Sequence, residues 1–372
     1  MQEKREAREA GVLAALAVLA AVLYMLFASP SAGVVVDGSF TTTMEKLGLT
    51  WAQETDGVGQ RVEQFAYKDM DIAMLLKAGQ PAVAWPAALV RLGTQPFGLP
   101  FDTRLLAVVY ALIIAAGSAL AVSGLMRHSR MAAFLWGVSV PVLLSHSAFA
   151  AYLNSLYGIG AAVTALLLFL GALVHAFSLP KGSGLRPMLL AAFAGTLLLT
   201  SMAQMLALLP FAAVGMVCCM VHCAPTGRER VLHGAASLFM LLYAVVSVTT
   251  FVQNDTSINS DAANYLAVFQ GYMTAADEPA DVLDALGVPE KYAADAGRSY
   301  YDAEESFAYS PRGENAATEL LAHIGLGERL AYCLKNPRLP LSYIEKNPIS
   351  VQDAYNGYLL DASGDTRPMR VS

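Results

Sequence analysis

Seven apolar runs constrain this chain more than any other feature. They lie near residues 11–29, 104–126, 131–149, 159–179, 187–201, 205–223 and 232–252. About 20 residues of α-helix cross a hydrocarbon core of roughly 30 Å. Only structures that satisfy their own backbone hydrogen bonds survive in lipid, so each run is predicted to be a helix. The fifth is the shortest, and Ser201-Met202-Ala203-Gln204 after it reads as a turn or a kink. Composition agrees: 56% of the 372 residues are hydrophobic and 15% are charged, against about 25% charged in soluble domains. The class that follows is an all-α polytopic membrane protein with about seven transmembrane helices.

Lysine and arginine in the short loops set the expected orientation. Lys4, Arg5 and Arg8 precede the first run, and Arg127 and Arg130 separate the second from the third. Lys181 and Arg186 follow the fourth, and Arg228 and Arg230 follow the sixth. The alternate short loops, 150–158 and 202–204, hold no basic residue. With seven spans, every basic loop falls on one side, which predicts a cytoplasmic N-terminus in a multi-pass cell-membrane protein. The first run is expected to stay as an anchor. It is longer than a usual signal-peptide core, and its head mixes acids with bases.

Both large polar segments then lie outside the cytoplasm. The first is the outer loop 32–103, and the second is the C-terminal segment 253–372, giving a transmembrane domain over 1–252 and an extracytoplasmic one after it. Within the first loop, Ala82 to Leu92 has an amphipathic pattern interrupted by Pro86, which suits a helix on the membrane surface or an ordinary loop helix. The tail reads as short helices broken by Gly and Pro: one from Asp281 ended by Gly287 and Pro289, one over Ala316–His323 and one over Leu326–Leu334.

Several function classes are excluded or unsupported. The net charge is −6 and the basic residues are scattered, which excludes nucleic acid as a partner. No Gly-rich phosphate loop or zinc-helix motif is present. Cys218, Cys219, Cys223 and Cys333 lack the spacing and companion histidines of a zinc site. His146 and His175 are near span ends, where structural hydrogen bonding accounts for them. There is no file of intramembrane acids of the kind that carries ions.

Polar residues just beyond the spans are the candidates for chemistry. Asp37, about eight residues past the first run, is placed to act as a general base, although Asp-Gly also favours a plain turn. Arg104, opening the second run, offers a bidentate phosphate contact or a local pair with Asp102. Asn154, Ser155 and Tyr157 sit in the tight loop between the third and fourth runs. Their polar groups suit sugar hydroxyls, and Asn154 and Ser155 equally suit a helix cap. Gln204, in the next outer turn, joins them as a substrate-contact candidate.

Four stretches in order carry a resemblance. They are Asp37-Gly38-Ser39-Phe40, Phe101-Asp102-Thr103-Arg104, Tyr152 through Gly158, and Asn264 through Gly271 with Leu286–Pro289 and Ala296–Tyr300 following. Together they resemble the WsfD-like glycan-biosynthesis hexose transferases, membrane glycosyltransferases of the GT-C type. The resemblance implies a hexosyltransferase that takes sugar from a polyprenyl-phosphate donor at the outer face, with a cell-surface glycan as acceptor and membrane lipid as surroundings. It assigns the base to Asp37 and implies no nucleotide site, leaving a divalent metal open. Arg104 would hold the donor phosphate, and Asn154 and Tyr157 would line the sugar pocket. The family's Glu after Asn-Ser-Phe-Tyr-Gly is Ile159 here. Such enzymes also often carry further membrane helices beyond the outer segment, where this sequence ends at Ser372, which fits a truncated product, a short variant or half of a split enzyme alike. The alternative expectation is a non-enzymatic accessory or scaffold protein of cell-envelope assembly.

Overall fold

The computed structural model describes residues 2–28, 31–34, 43–52, 62–68, 81–224, 226–254, 261–300, 302–339, 342, 357–360 and 366–368. The chain divides into two compact units. The first comprises Met1–Phe251 with Asn356–Ser372, and the second comprises Val252–Tyr355. The last residues therefore group with the helical unit and not with the segment that precedes them. The reason is strand pairing: β1 (Ser31–Val34) takes β5 (Gly357–Leu360) antiparallel, with Ser31 opposite Leu360, and β5 takes β6 (Thr366–Pro368).

The first unit is built on helices α1 (Gln2–Phe27), α2 (Pro81–Thr94), α3 (Thr103–Leu125), α4 (Arg130–Leu144), α5 (Ser147–Leu153), α6 (Gly158–Ser178), α7 (Leu185–Leu199), α8 (Leu209–Cys223) and α9 (Gly227–Asn254). Among the described residues, five segments are long and apolar enough to cross a membrane: Arg5–Phe27, Thr103–Leu125, Gly158–Ser178, Met205–Cys223 and Gly227–Ser247. The protein is an all-α polytopic membrane protein in its architecture, with two small sheets added among the described residues. Exposed Leu238, Phe239, Leu242 and Val246 along α9 suit lipid contact.

The third apolar run differs from expectation, and the fifth is as short as its sequence suggested. α4 and α7 have 15 residues each, which at 1.5 Å per residue is about 22 Å, short of a full hydrocarbon core. The third run divides because the helix stops at Ser145, whose hydroxyl bonds back to the Val142 carbonyl at 2.7 Å, and restarts as α5. The fifth ends where Thr196, Thr200 and Ser201 all bond back to carbonyls of the preceding turn. Such back-bonding competes with the helix ladder. A 3₁₀ stretch, Ala203–Leu208, then leads into α8, so the break after Leu199 is a turn.

Helix packing relies on small residues, as it does where lipid removes the hydrophobic drive between helices. A Cβ on Gly171 of α6 would fall 2.1 Å from the Gly117 carbonyl oxygen of α3. In α1, Val18, Val22 and Leu26 are fully buried in the cluster that holds Leu106, Tyr110 and Ile114 of α3. A second cluster joins Phe169 of α6, Ala191 of α7 and Met216 of α8.

The basic loops gather at one end of this unit. Arg130 pairs with Glu6 at 3.2 Å, and Arg127 donates to the Ser178 carbonyl at 3.4 Å. Gly182 and Gly184 donate to the carbonyls of His222 and Cys223. At the opposite end lies a sheet in the order β2 (Leu49–Trp51), β3 (Gln64–Tyr67), β4 (Phe101–Asp102). It is antiparallel, with Trp51 opposite Phe65 and Phe65 opposite Phe101. Buried Leu49, Phe65 and Phe101 tie it to the helical core.

The second unit has its own core of Tyr265, Phe269, Met273, Val282, Leu283, Leu320 and Ile324. Its helix α10 (Asp261–Leu266) runs through a π-helical stretch, Ala267–Tyr272, into α11 (Met273–Ala275). The predicted tail helices are present as α12 (Pro279–Leu286), α13 (Ala316–Glu319) with a 3₁₀ turn over Leu321–His323, and α14 (Leu326–Lys335). Gly287 ends α12 at φ 73°, a left-handed conformation that costs glycine little.

Candidate functional site

A polar cluster forms where the β3–β4 pair meets the start of α3 and the α5–α6 junction. Asp102 caps α3 by accepting from the Arg104 backbone N–H at 2.8 Å. This fixes the first turn and turns the arginine side chain back: Arg104 donates Nε to both Asp102 carboxylate oxygens, at 3.1 and 3.2 Å, and Nη2 to Oδ2 at 2.7 Å. The sheet extends by one bond, from Thr103 N–H to the Glu63 carbonyl at 2.9 Å. That bond brings Glu63 over the same turn, and its carboxylate lies 3.6 Å from Arg104 Nε.

Asn154 completes the arrangement from the other side. Its Nδ2 donates to Glu63 Oε1 at 3.2 Å, and its Oδ1 accepts from the Thr103 hydroxyl at 2.8 Å. The two bonds agree on one amide orientation. Thr103 and Asn154 are buried, and the Glu63 side chain is 18% exposed. With all three ionised, two carboxylates share one guanidinium, and the cluster carries a net negative charge. Arg104 is thus already neutralised by resident acids.

Next to Asn154, the buried Ser155 hydroxyl donates to the Tyr152 carbonyl at 2.6 Å and accepts from Tyr157 N–H at 3.3 Å. The rings of Tyr152 and Tyr157 meet edge to face at 6.1 Å. A Cβ on Gly158 would lie 2.5 Å from the Ser201 carbonyl oxygen, so the turn after α7 abuts this loop. Gln204 belongs to that turn, and its side chain lies outside the described residues. Asp37 also lies outside them. Of the remaining candidates, the structure joins Arg104 and Asn154 through Glu63, and places Ser155 and Tyr157 beside Asn154.

Glu63 is the residue that sequence reasoning missed. The one signal for it is the set of strand-favouring residues around it, Val62, Phe65 and Tyr67, which marks a structured piece inside a long loop. Its partner Asn154 is 91 positions away. Among the described residues, no group of three or more His, Cys, Asp or Glu side chains is placed to hold a metal ion.

A family model described as the YfdI N-terminal transmembrane domain matches residues 2–357. No curated protein and no solved structure matches the chain.

Proposed function

Because the chain belongs to the family of the YfdI N-terminal transmembrane domain, we propose that it is a membrane glycosyltransferase that moves a hexose from a polyprenyl-phosphate donor to a cell-surface glycan at the outer membrane face. The activity comes from the resemblance to the WsfD-like transferases. The observation that carries it into the structure is the Glu63–Asn154–Thr103–Arg104–Asp102 cluster, an acidic, hydrogen-bonded site at the end of the bundle away from the basic loops.

In this reading an acceptor hydroxyl attacks the anomeric carbon as its bond to the donor phosphate oxygen breaks. The hydroxyl proton passes to Asp37, and polyprenyl phosphate leaves. The sugar carbon gains positive charge in the transition state, and a nearby carboxylate stabilises it. Glu63 supplies such a carboxylate. Arg104 lies beside it, and Asn154 fixes its direction. A cluster with net negative charge suits this task better than it suits binding a phosphate, so Arg104 is a positioning residue in this scheme and not the phosphate contact. Asn154 and Tyr157 border the sugar.

The test is Asp37→Asn in cells, with surface glycan composition as the readout and membrane expression as the control. Loss of one hexose from the glycan is the expected result. An unchanged glycan with normal expression removes Asp37 from the mechanism.

A further inference from the structure

Helix α2 presents two faces of different character. Trp85, Leu89 and Leu92, spaced four and three residues apart, are 42%, 59% and 55% exposed, and the stripe continues to exposed Phe97 and Leu99. On the other face, Val83, Ala87 and Val90 are buried against the bundle. Trp85 sets its ring 5.5 Å from Phe193 of α7, so the first half of α2 lies beside an apolar helix of the bundle. Its last turn touches the sheet: Thr94 shares a hydrogen bond of 2.5 Å with the hydroxyl of Tyr67 in β3. A helix with an exposed apolar stripe and one polar end is suited to the interface between headgroups and acyl chains.

Arg91 sits at that polar end and is only 3% exposed. Its Nε donates to Gln95 Oε1 at 2.7 Å, its Nη2 donates to the Lys68 carbonyl at 3.1 Å, and its guanidinium lies 5.1 Å from the Tyr67 ring centre. Nη1 has no hydrogen-bond partner, and no carboxylate pairs with Arg91 among the described residues. The contrast with Arg104 is direct: one arginine is exposed by a third and held by two acids, the other is buried and held by an amide, a carbonyl and a ring face. None of those three neutralises charge. A buried cation without a counter-ion is costly, and so is a buried N–H without an acceptor. One group removes both costs: an anionic oxygen acceptor, with phosphate the form that matches the guanidinium fork. Lys68, whose carbonyl already holds Arg91, is exposed and carries a second positive charge beside it in the fold.

We propose that Arg91, assisted by Lys68, binds the phosphate group of a membrane lipid that lies along the Trp85–Leu89–Leu92 stripe. The stripe argues for a lipid over a free phosphate, since it offers chain contact alongside the charge. The inference rests on the membrane character of the chain and not on sugar transfer. It stands even if Asp37→Asn leaves surface glycan unchanged.

Native mass spectrometry of the full chain in maltoside detergent tests this with four probes: polyprenyl monophosphate, polyprenol, phosphatidylglycerol and inorganic phosphate. The wild type is expected to retain the phosphate lipids and not polyprenol. Arg91→Gln weakens polyprenyl phosphate binding about tenfold, about 1.4 kcal/mol, Lys68→Gln about threefold, and Arg130→Gln, at the opposite end of the unit, leaves it unchanged. Equal retention of polyprenol and its phosphate overturns the proposal, as does inorganic phosphate binding as tightly as the lipids. Wild-type affinity in a folded Arg91→Gln protein overturns it too. If Arg91→Gln does not fold, the exposed Lys68→Gln variant decides: weakened phosphate-lipid binding supports the site, and unchanged binding sinks it.

Discussion

Asn154 shows how much of this protein resides in contacts that no local pattern announces. In sequence it is a polar residue in a tight loop, equally good as a cap or a ligand. In the fold it bridges Thr103 and Glu63, with both amide groups used. Polar residues at span ends stand out against apolar runs, so Arg104, Asn154, Ser155 and Tyr157 were legible as candidates. Glu63 was not, because its place depends on strand pairing that brings it over the first turn of α3. The fate of Arg104 was hidden for the same reason: the pair with Asp102 is local and foreseeable, but the second acid is not. Replacing Glu63 with Gln keeps the shape and an acceptor for Asn154 while removing the charge. Transfer is predicted to fall about a hundredfold, the low end for a positioned acid or base, with the melting temperature little changed. A normal turnover number for Glu63→Gln, measured with purified protein, would take the carboxylate out of the chemistry.

At the scale of elements, hydropathy found the helices and the turn after the fifth run, but not the break inside the third. The third run looks continuous because Ser is tolerated in apolar segments. It is Ser and Thr hydroxyls, bonding back at Ser145, Thr196, Thr200 and Ser201, that mark where helices end. The α2 pattern was legible despite Pro86, since losing one backbone donor does not undo the burial of a whole face. The α3–α6 crossing depends on what is missing from the side chains. At Gly171 even one carbon meets the Gly117 carbonyl at 2.1 Å. Gly171→Ala is therefore predicted to lower stability by about 1–3 kcal/mol, as overpacking typically does. Thermal unfolding in detergent reads this directly, and an unshifted melting temperature would show that the helices separate at no cost.

For the whole molecule, the alternation of basic loops was the most informative pattern, because charge asymmetry is imposed by the membrane and not by tertiary contacts. Arg130 with Glu6, and Arg127 with Ser178, gather those loops at one end of the first unit. What the pattern could not carry was the return of the final strands to β1, a long-range pairing of two short segments. Orientation is tested with single cysteines in a variant whose native cysteines are replaced by serine. Ala52→Cys, at the sheet end, should react with a membrane-impermeant maleimide on intact cells, and His128→Cys, at the basic end, should react only after permeabilisation. The reverse pattern inverts the protein in the membrane and removes the outer-face site. The central claim is sugar transfer, and the most direct measurement is hexose transfer by the purified full chain from a panel of polyprenyl-phosphate sugars to surface glycan. The account predicts that one donor is consumed, with polyprenyl phosphate released in equal amount, and that Asp37→Asn and Glu63→Gln both lose this activity. Intact donors across the whole panel, with a folded protein, would contradict it.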